Sequence, residues 1–231
     1  MKIILVTGGE GRFATQLKKI STNIKFLYLS KKEFNILSLK SIIKAVKKYK
    51  PTQILHLAGL SRPMIDHEKN IIKSINLNII GTANLVNVCS KFKIKIIYFS
   101  TSYIYEGTKG DYKETDPILP WSNYGWSKLG GEAAVQMYAN SLILRICMTE
   151  KPFVHKNAYA NVKSNFIYQE DLARILLKVI NKKGIFNIGG KSQTIFNFVK
   201  KDNNKIRKIY SNGEFPLKQN MNLNKLYKNL K

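Results

Sequence analysis

Residues 2–7 are apolar from Ile3 to Val6, include β-branched side chains, and run straight into Gly8, Gly9 and Gly11. An unbroken apolar run of this length predicts a strand buried on both faces, because such a strand has no polar side to alternate with. The same texture predicts strands over 24–29, 53–57, 94–99, 141–146 and 184–188. Between them the apolar period becomes helical. Leu39, Ile42, Ile43, Val46 and Tyr49 share one helical face, which Lys50-Pro51 closes. Further helices are expected over 69–92, 124–140 and 169–181, the last carrying Leu172, Ile175, Leu176, Val179 and Ile180 on one side. Strands alternating with helices predict an α/β fold, a doubly wound parallel sheet of the Rossmann type. Its crossovers are right-handed and its ligands lie at the carboxyl ends of the strands. Residues 111–122, with Pro117 and Pro120, predict a loop, and the weaker periodicity from Lys191 predicts a small carboxyl-terminal lobe with a mobile tail.

Composition narrows the class. A chain of 231 residues with 44% hydrophobic residues is large enough for one substantial domain, or a domain with a small lobe, and excludes intrinsic disorder. No apolar run approaches about 18 residues, and the amino terminus lacks a small-residue cleavage site, so no membrane span is expected and the location expected is cytoplasmic. The net charge of +25, from 39 Lys+Arg against 14 Asp+Glu, first suggests a polyanionic partner. Only Arg12, Arg62, Arg145, Arg174 and Arg207 are arginines, however, and the lysines are spread through nearly every segment alongside excess Ile and Asn. That distribution reads as a solvated lysine surface and not as a nucleic-acid footprint. Cys89 and Cys147 sit in apolar patterns, as buried thiols do. His56, His67 and His155 share no metal-ligand spacing, so no metal site is expected.

Two constellations carry chemistry. A glycine cluster directly after the first strand lets the backbone turn tightly and approach a pyrophosphate, which the amino end of the next helix then meets with N–H groups. This is a dinucleotide signature. The second strand ends Leu29-Ser30-Lys31-Lys32, with no acid before Glu33, and Arg12 adds a cation nearby; that favours NADP(H) over NAD(H). The second constellation is Tyr124-Gly125-Trp126-Ser127-Lys128, with Thr101 just past the fourth strand. A spacing of four on a helix brings the phenol and the ammonium to one face, where the cation lowers the phenol's pKa and readies it to pass a proton to or from a carbinol oxygen. Thr101 can hold that oxygen.

With these motifs in place, the sequence resembles the extended short-chain dehydrogenase/reductase family that acts on nucleotide sugars, nearest its dTDP-4-dehydrorhamnose reductase branch. The supporting residues run in order along the chain: Thr7-Gly8-Gly9-x-Gly11, His56-Leu57-Ala58-Gly59, Asn78 with Gly81-Thr82-Ala83-Asn84-Leu85, Ser100-Thr101-Ser102, Tyr124-Gly125-x-Ser127-Lys128, Leu144-Arg145, and Phe186-Asn187-Ile188-Gly189-Gly190. The resemblance implies an NAD(P)H-dependent oxidoreductase that reduces a keto group on a nucleotide-linked deoxysugar. It makes Tyr124 the acid/base, Lys128 the ribose-binding cation and Thr101 the orienting hydroxyl. It places Gly8, Gly9, Gly11, Arg12, Phe13, Ser30, Lys31, Asn35, Ile36, Ala58, Gly59 and Asn78 along the cofactor. Ser61, Arg62, Ser102, Tyr103 and Arg145 are the substrate candidates. It also divides the chain into a dinucleotide-binding core with the catalytic helix, residues 1–145, and a shortened substrate lobe, residues 146–231, interleaved with a late strand and helix of the core. A homodimer through the helices over 78–92 and 124–140 is a further implication. Two alternatives stay open: a nucleotide-sugar epimerase with tightly bound NAD, and a non-catalytic cofactor-binding regulatory subunit of the same fold.

Departures from the family pattern matter. Ser102 replaces the branch's usual Asp, and Ser102-Tyr103 lacks the Asp-Glu pair of the related dehydratases, which disfavours elimination of water. Only residues 146–170 separate the fifth strand from Asp171-Leu172-Ala173, where relatives carry a longer insertion, so a smaller or more open sugar pocket is expected.

Overall fold

β1 (Ile3–Thr7) is the spine of the sheet in this computed structural model, which describes residues 2–230. The chain continues through α1 (Arg12–Leu17), β2 (Lys25–Tyr28), α2 (Leu39–Tyr49) and β3 (Gln53–His56). Ser38 caps α2 by accepting from the Ser41 N–H, and Lys50 ends it in the left-handed conformation ahead of Pro51. Two short turns, Asp66–Lys69 and Ile71–Ser74, lead through a π-helical stretch, Ile75–Ile80, into α3 (Gly81–Phe92). Then follow β4 (Lys95–Thr101), α4 (Asn123–Gln136), β5 (Ser141–Ile146), α5 (Gln169–Val179), β6 (Gly184–Ile188), α6 (Ile195–Lys200) and α7 (Asn224–Leu230).

The six strands pair in parallel in the order β6-β5-β4-β3-β1-β2. Because β2 and β3 lie on opposite sides of β1, the winding reverses between β1 and β3, and the crevice outside their carboxyl ends is where a doubly wound sheet binds ligands. Successive residues of each strand serve opposite faces, which is why the apolar runs are unbroken. Ile4, Val6, Leu55, Ile97, Leu142 and Leu144 pack against α1, α5 and α7; Leu5, Ile54, Ile96 and Ile143 pack against α2 and α3.

Two expectations change. The helix expected over 69–92 begins at Ile71, capped by the Asn70 side chain accepting from the Lys73 N–H, and widens to a π turn over Ile75–Ile80 before continuing as α3. The tail also packs against the core. Leu226 of α7 is fully buried in the same cluster as α5 and β6, so the end of the chain belongs to the core. The rest of the carboxyl-terminal region joins short strand pairs, Asn157–Tyr159 with Arg207–Ile209 and Lys163–Ser164 with Gln193–Thr194, around a separate cluster of Ala158, Val162, Ile195, Val199 and Ile206. Cys89 and Cys147 are free and buried, as expected. Among the described residues, no helix is long and apolar enough to cross a membrane.

Candidate active site

The strand register aligns Thr7 with His56, and it carries β4 three residues past Tyr98, the partner of His56, to Thr101. Thr7 Oγ1 accepts from the N–H groups of Leu57 and Ala58, at 3.1 and 3.0 Å, and is hydrogen-bonded to His56 Nδ1 at 2.9 Å. With both acceptor positions of Thr7 used, its hydroxyl proton points to His56 Nδ1. The His56 Nε2–H then donates to Thr82 Oγ1 at 3.0 Å, and Thr82 donates to the Asn78 carbonyl at 2.8 Å. Complete burial, and after it the charge of Lys128, push the His56 imidazole down to about 3, so it stays neutral.

The glycine turn is demanded first by packing. Gly8 has φ +64°, and a Cβ there would lie 2.9 Å from the Ala58 nitrogen; a Cβ on Gly9 would lie 2.8 Å from that of Leu29. The turn is thereby pressed between the ends of β2 and β3, with Gly11 leading into α1, whose amino end has no side-chain cap. Beside it opens a cavity of about 740 Å³ lined by Glu10, Ser30, Lys31, Lys32, Asn35, Ser38 and Ser41. Glu33 is turned onto Ser30, accepting from its N–H at 3.0 Å and its hydroxyl at 2.8 Å. Asn78 joins the loop after β3 to α4: it exchanges bonds with the backbone of Leu60 and donates to Ser127 Oγ at 2.8 Å.

Farther along the same edge, α4 begins at Ser122, whose hydroxyl accepts from the Gly125 N–H. Tyr124, on its first turn, lies beside the Thr101 hydroxyl. Burial raises the phenol's pKa, and the Thr101 hydroxyl with the charges of Arg62 and Arg12 only partly offsets this. Lys128 lies one turn further along the helix. Its ammonium lies 4.2 Å from the centre of the Tyr98 ring, and burial, opposed by Glu132, pushes its pKa down to about 7. Among the charges that lower the Tyr124 pKa, those of Arg62 and Arg12 lead. Tyr98 in turn donates to the Lys128 carbonyl at 2.9 Å, fixing the helix against β4.

Tyr103 packs against Tyr124, Trp121 and Phe215, with ring centres 5.9, 5.2 and 5.7 Å away, and His67 stacks on Tyr124 at 5.1 Å. Around this group lie buried polar atoms with no partner among the described residues: Ser102 Oγ, Trp121 Nε1, His67 Nε2 and Glu150 Oε2.

Several predicted residues are placed otherwise. Arg145 is buried inside the fold, where Nε and Nη2 donate to Glu132 at 3.1 and 2.8 Å and Nη1 donates to Tyr105 and the Glu114 carbonyl. Every branch of its guanidinium is used, so it is a structural residue and not a substrate contact. The side chains of Phe13 and Ile36 are core as well, Phe13 on Phe99 and Ile36 against Gly81, which leaves only their backbones for a ligand. Sequence reasoning missed Glu150 and Glu132. Their signal was scarcity: in a chain with 14 acids, a carboxylate inside an apolar pattern is worth noting.

Residues 1–166 match the family described as the RmlD substrate binding domain. The dTDP-4-dehydrorhamnose reductase of Aggregatibacter actinomycetemcomitans is 29% identical over 155 residues, covering 64% of this chain and 52% of that protein. Methionine adenosyltransferase 2 subunit beta of Xenopus laevis is 32% identical over 113 residues, covering 48% and 34%. The chain thus spans about half, or less, of the length of these relatives. Among solved structures, the dTDP-4-dehydrorhamnose reductase of Bacillus anthracis in complex with NADP superposes with a TM-score of 0.85 at 21% identity, covering 99% of this chain and 92% of that one, which bears on the fold. The chain belongs to the RmlD substrate binding domain family, within the extended short-chain dehydrogenase/reductases.

Proposed function

We propose that the protein is an NAD(P)H-dependent oxidoreductase that reduces a keto group on a nucleotide-linked deoxysugar. The observation that carries this reading is the placing of Tyr124 beside Thr101 at the carboxyl edge of the sheet, with Lys128 one turn along the same helix. A phenol whose pKa burial raises keeps its proton, and a protonated phenol is the form that carbonyl reduction needs. Tyr124 donates that proton to the substrate oxygen, and Thr101 orients the oxygen. The orphaned atoms of Ser102, Trp121, His67 and Glu150 supply hydrogen-bonding capacity around the phenol that suits a ligand rich in hydroxyl groups.

The residues present fit a dinucleotide. The Gly8–Gly11 turn and the first turn of α1 take the pyrophosphate, Ala58, Gly59 and Asn78 line the crevice, and the cavity by Ser30 and Asn35 takes the adenosine end. The cofactor, when bound, supplies the hydride. Lys128 holds the nicotinamide ribose. NADP(H) is preferred over NAD(H), because Lys31 and Lys32 face the cavity while Glu33 is engaged by Ser30. Residues 146–231 form the substrate lobe, apart from α5, β6 and α7, which complete the core. Pairing with a second copy uses the helices over 78–92 and 124–140, which expose Ile80 and Trp126.

The test mixes purified protein with NADPH or NADH and a panel of 4-keto-6-deoxy nucleotide sugars, following absorbance of the reduced nicotinamide. Tyr124→Phe is expected to lower turnover by about 10²–10⁴-fold while binding cofactor as wild type does. No oxidation with any sugar, by a wild type that binds cofactor, would sink the reading. A second reading has the similarity to methionine adenosyltransferase 2 subunit beta behind it: a cofactor-binding subunit without turnover of its own. That reading predicts cofactor binding and no oxidation.

A further inference from the structure

Arg12 follows the glycine turn after β1, and Arg62 stands in the loop after β3, so the two flank the point where the winding reverses. Both reach one carboxylate oxygen. Glu150 Oε1 lies 3.3 Å from Arg12 Nε and is hydrogen-bonded by Arg62 Nη2, and Arg12 Nη2 donates to Ser61 Oγ at 3.1 Å. The acid sits behind the cations: side-chain exposure is 51% for Arg12, 27% for Arg62 and 16% for Glu150. Burial acts to raise the Glu150 carboxyl, but the Arg62 hydrogen bond and the charges of Arg62 and Arg12 outweigh it, so the group stays ionised.

This cluster is unfinished as an ion pair. One carboxylate balances one guanidinium, which leaves a positive charge at the crevice, and Glu150 Oε2 is buried with no partner among the described residues. A buried, unpaired carboxylate oxygen is costly. Two forked donors side by side suit an anion with several oxygens better than they suit one half-used carboxylate.

We propose that Arg12 and Arg62 together form a diphosphate-binding pair, and that Glu150 is its built-in competitor, giving up both arginines when a diphosphate binds. The proposal rests on the reading of the crevice given above and adds that Glu150 sets the affinity there. Two diphosphates share the chemistry, that of the nicotinamide dinucleotide and that of the nucleotide sugar.

Calorimetric titration of the full chain with NADPH and, separately, with dTDP distinguishes them. Glu150→Gln is expected to bind at least one of the two about tenfold more tightly than wild type, with a steeper salt dependence. Tightening for NADPH alone assigns the pair to the cofactor, for dTDP alone to the sugar nucleotide, and for both to a shared site. Arg62→Gln weakens the same ligand, and adding Glu150→Gln to it recovers less than in the wild-type background. Glu150→Ala gives the same direction should the glutamine variant fold poorly. A wild type that binds NADPH, with unchanged or weaker binding of both ligands in the Glu150 variants, overturns this proposal alone. A wild type that binds neither ligand overturns it together with the crevice reading.

Discussion

The sheet-borne half and the carboxyl-terminal lobe are held together by different means. In the first, long parallel ladders and two apolar clusters leave a polar chain, Thr7 to His56 to Thr82 to Asn78, fully bonded at the ligand edge. In the second, strand pairs are two or three residues long, and much of the contact is aromatic, as among Phe153, Phe166, Phe198 and Tyr168. Side chains stand in for ladders there: Asn165 accepts from the Met221 N–H and donates to the Gly190 carbonyl. Ser102, Trp121 and Glu150, with their unpartnered atoms, lie where the two regions meet. On the proposed function, the long-laddered half fixes the reacting groups and the loosely laddered half chooses the substrate.

The contrast breaks most sharply at buried charge. Arg145→Met leaves Glu132 without its partner beneath Lys128, and the expected loss is about 3–5 kcal/mol of unfolding free energy by urea titration. A loss under 1 kcal/mol, small beside the marginal stability of a domain, would mean that the polar floor of this half is not what holds it.

The next effect is one of pH. Lys128 has its pKa pushed down to about 7, so it is charged below that pH and loses its proton above it. On the proposal that its ammonium holds the nicotinamide ribose, NADPH affinity is expected to fall as pH rises above about 7, by at most about tenfold per unit. Lys128→Met should bind weakly with this dependence removed. Stability has the opposite sign. The unfolded chain holds the Lys128 proton more tightly, so between about 7 and the usual lysine value this group's contribution becomes more favourable to folding as pH rises. An affinity that is flat from pH 6 to 9 would contradict the placement of Lys128.

The smallest effect belongs to the lobe. Asp202 pairs with Lys151 at 2.7 Å and accepts from Tyr168, near the surface. Asp202→Asn is expected to leave the urea midpoint unchanged within error, and a shift comparable to that of Arg145→Met would erase the distinction between the two halves.

Legibility in the sequence follows the same division. The strands, α2 and α5 could be read because each places several apolar residues at one period. The glycine turn and the Tyr124–Lys128 pair could be read because their partners are near in sequence. The Glu150 cluster was invisible, since its arginines, one opening α1 and one in the loop after β3, lie far away in the chain, the nearer 88 positions off. Lys128 was expected on the Tyr124 face because of helical spacing, but spacing says nothing about the Tyr98 ring that its ammonium also meets. The tail read as mobile because α7 is short and has one buried residue, Leu226, too few to make a period.

The central claim is that Tyr124 and its crevice carry out a net reduction. It is tested most directly by giving the protein NADPH deuterated at the transferable position together with a 4-keto-6-deoxy nucleotide sugar, and analysing both products by mass. The account predicts one deuterium on the new carbinol carbon for each NADP formed, and neither product with Tyr124→Phe. A sugar that is returned unchanged or only inverted, with no net NADP, would contradict it.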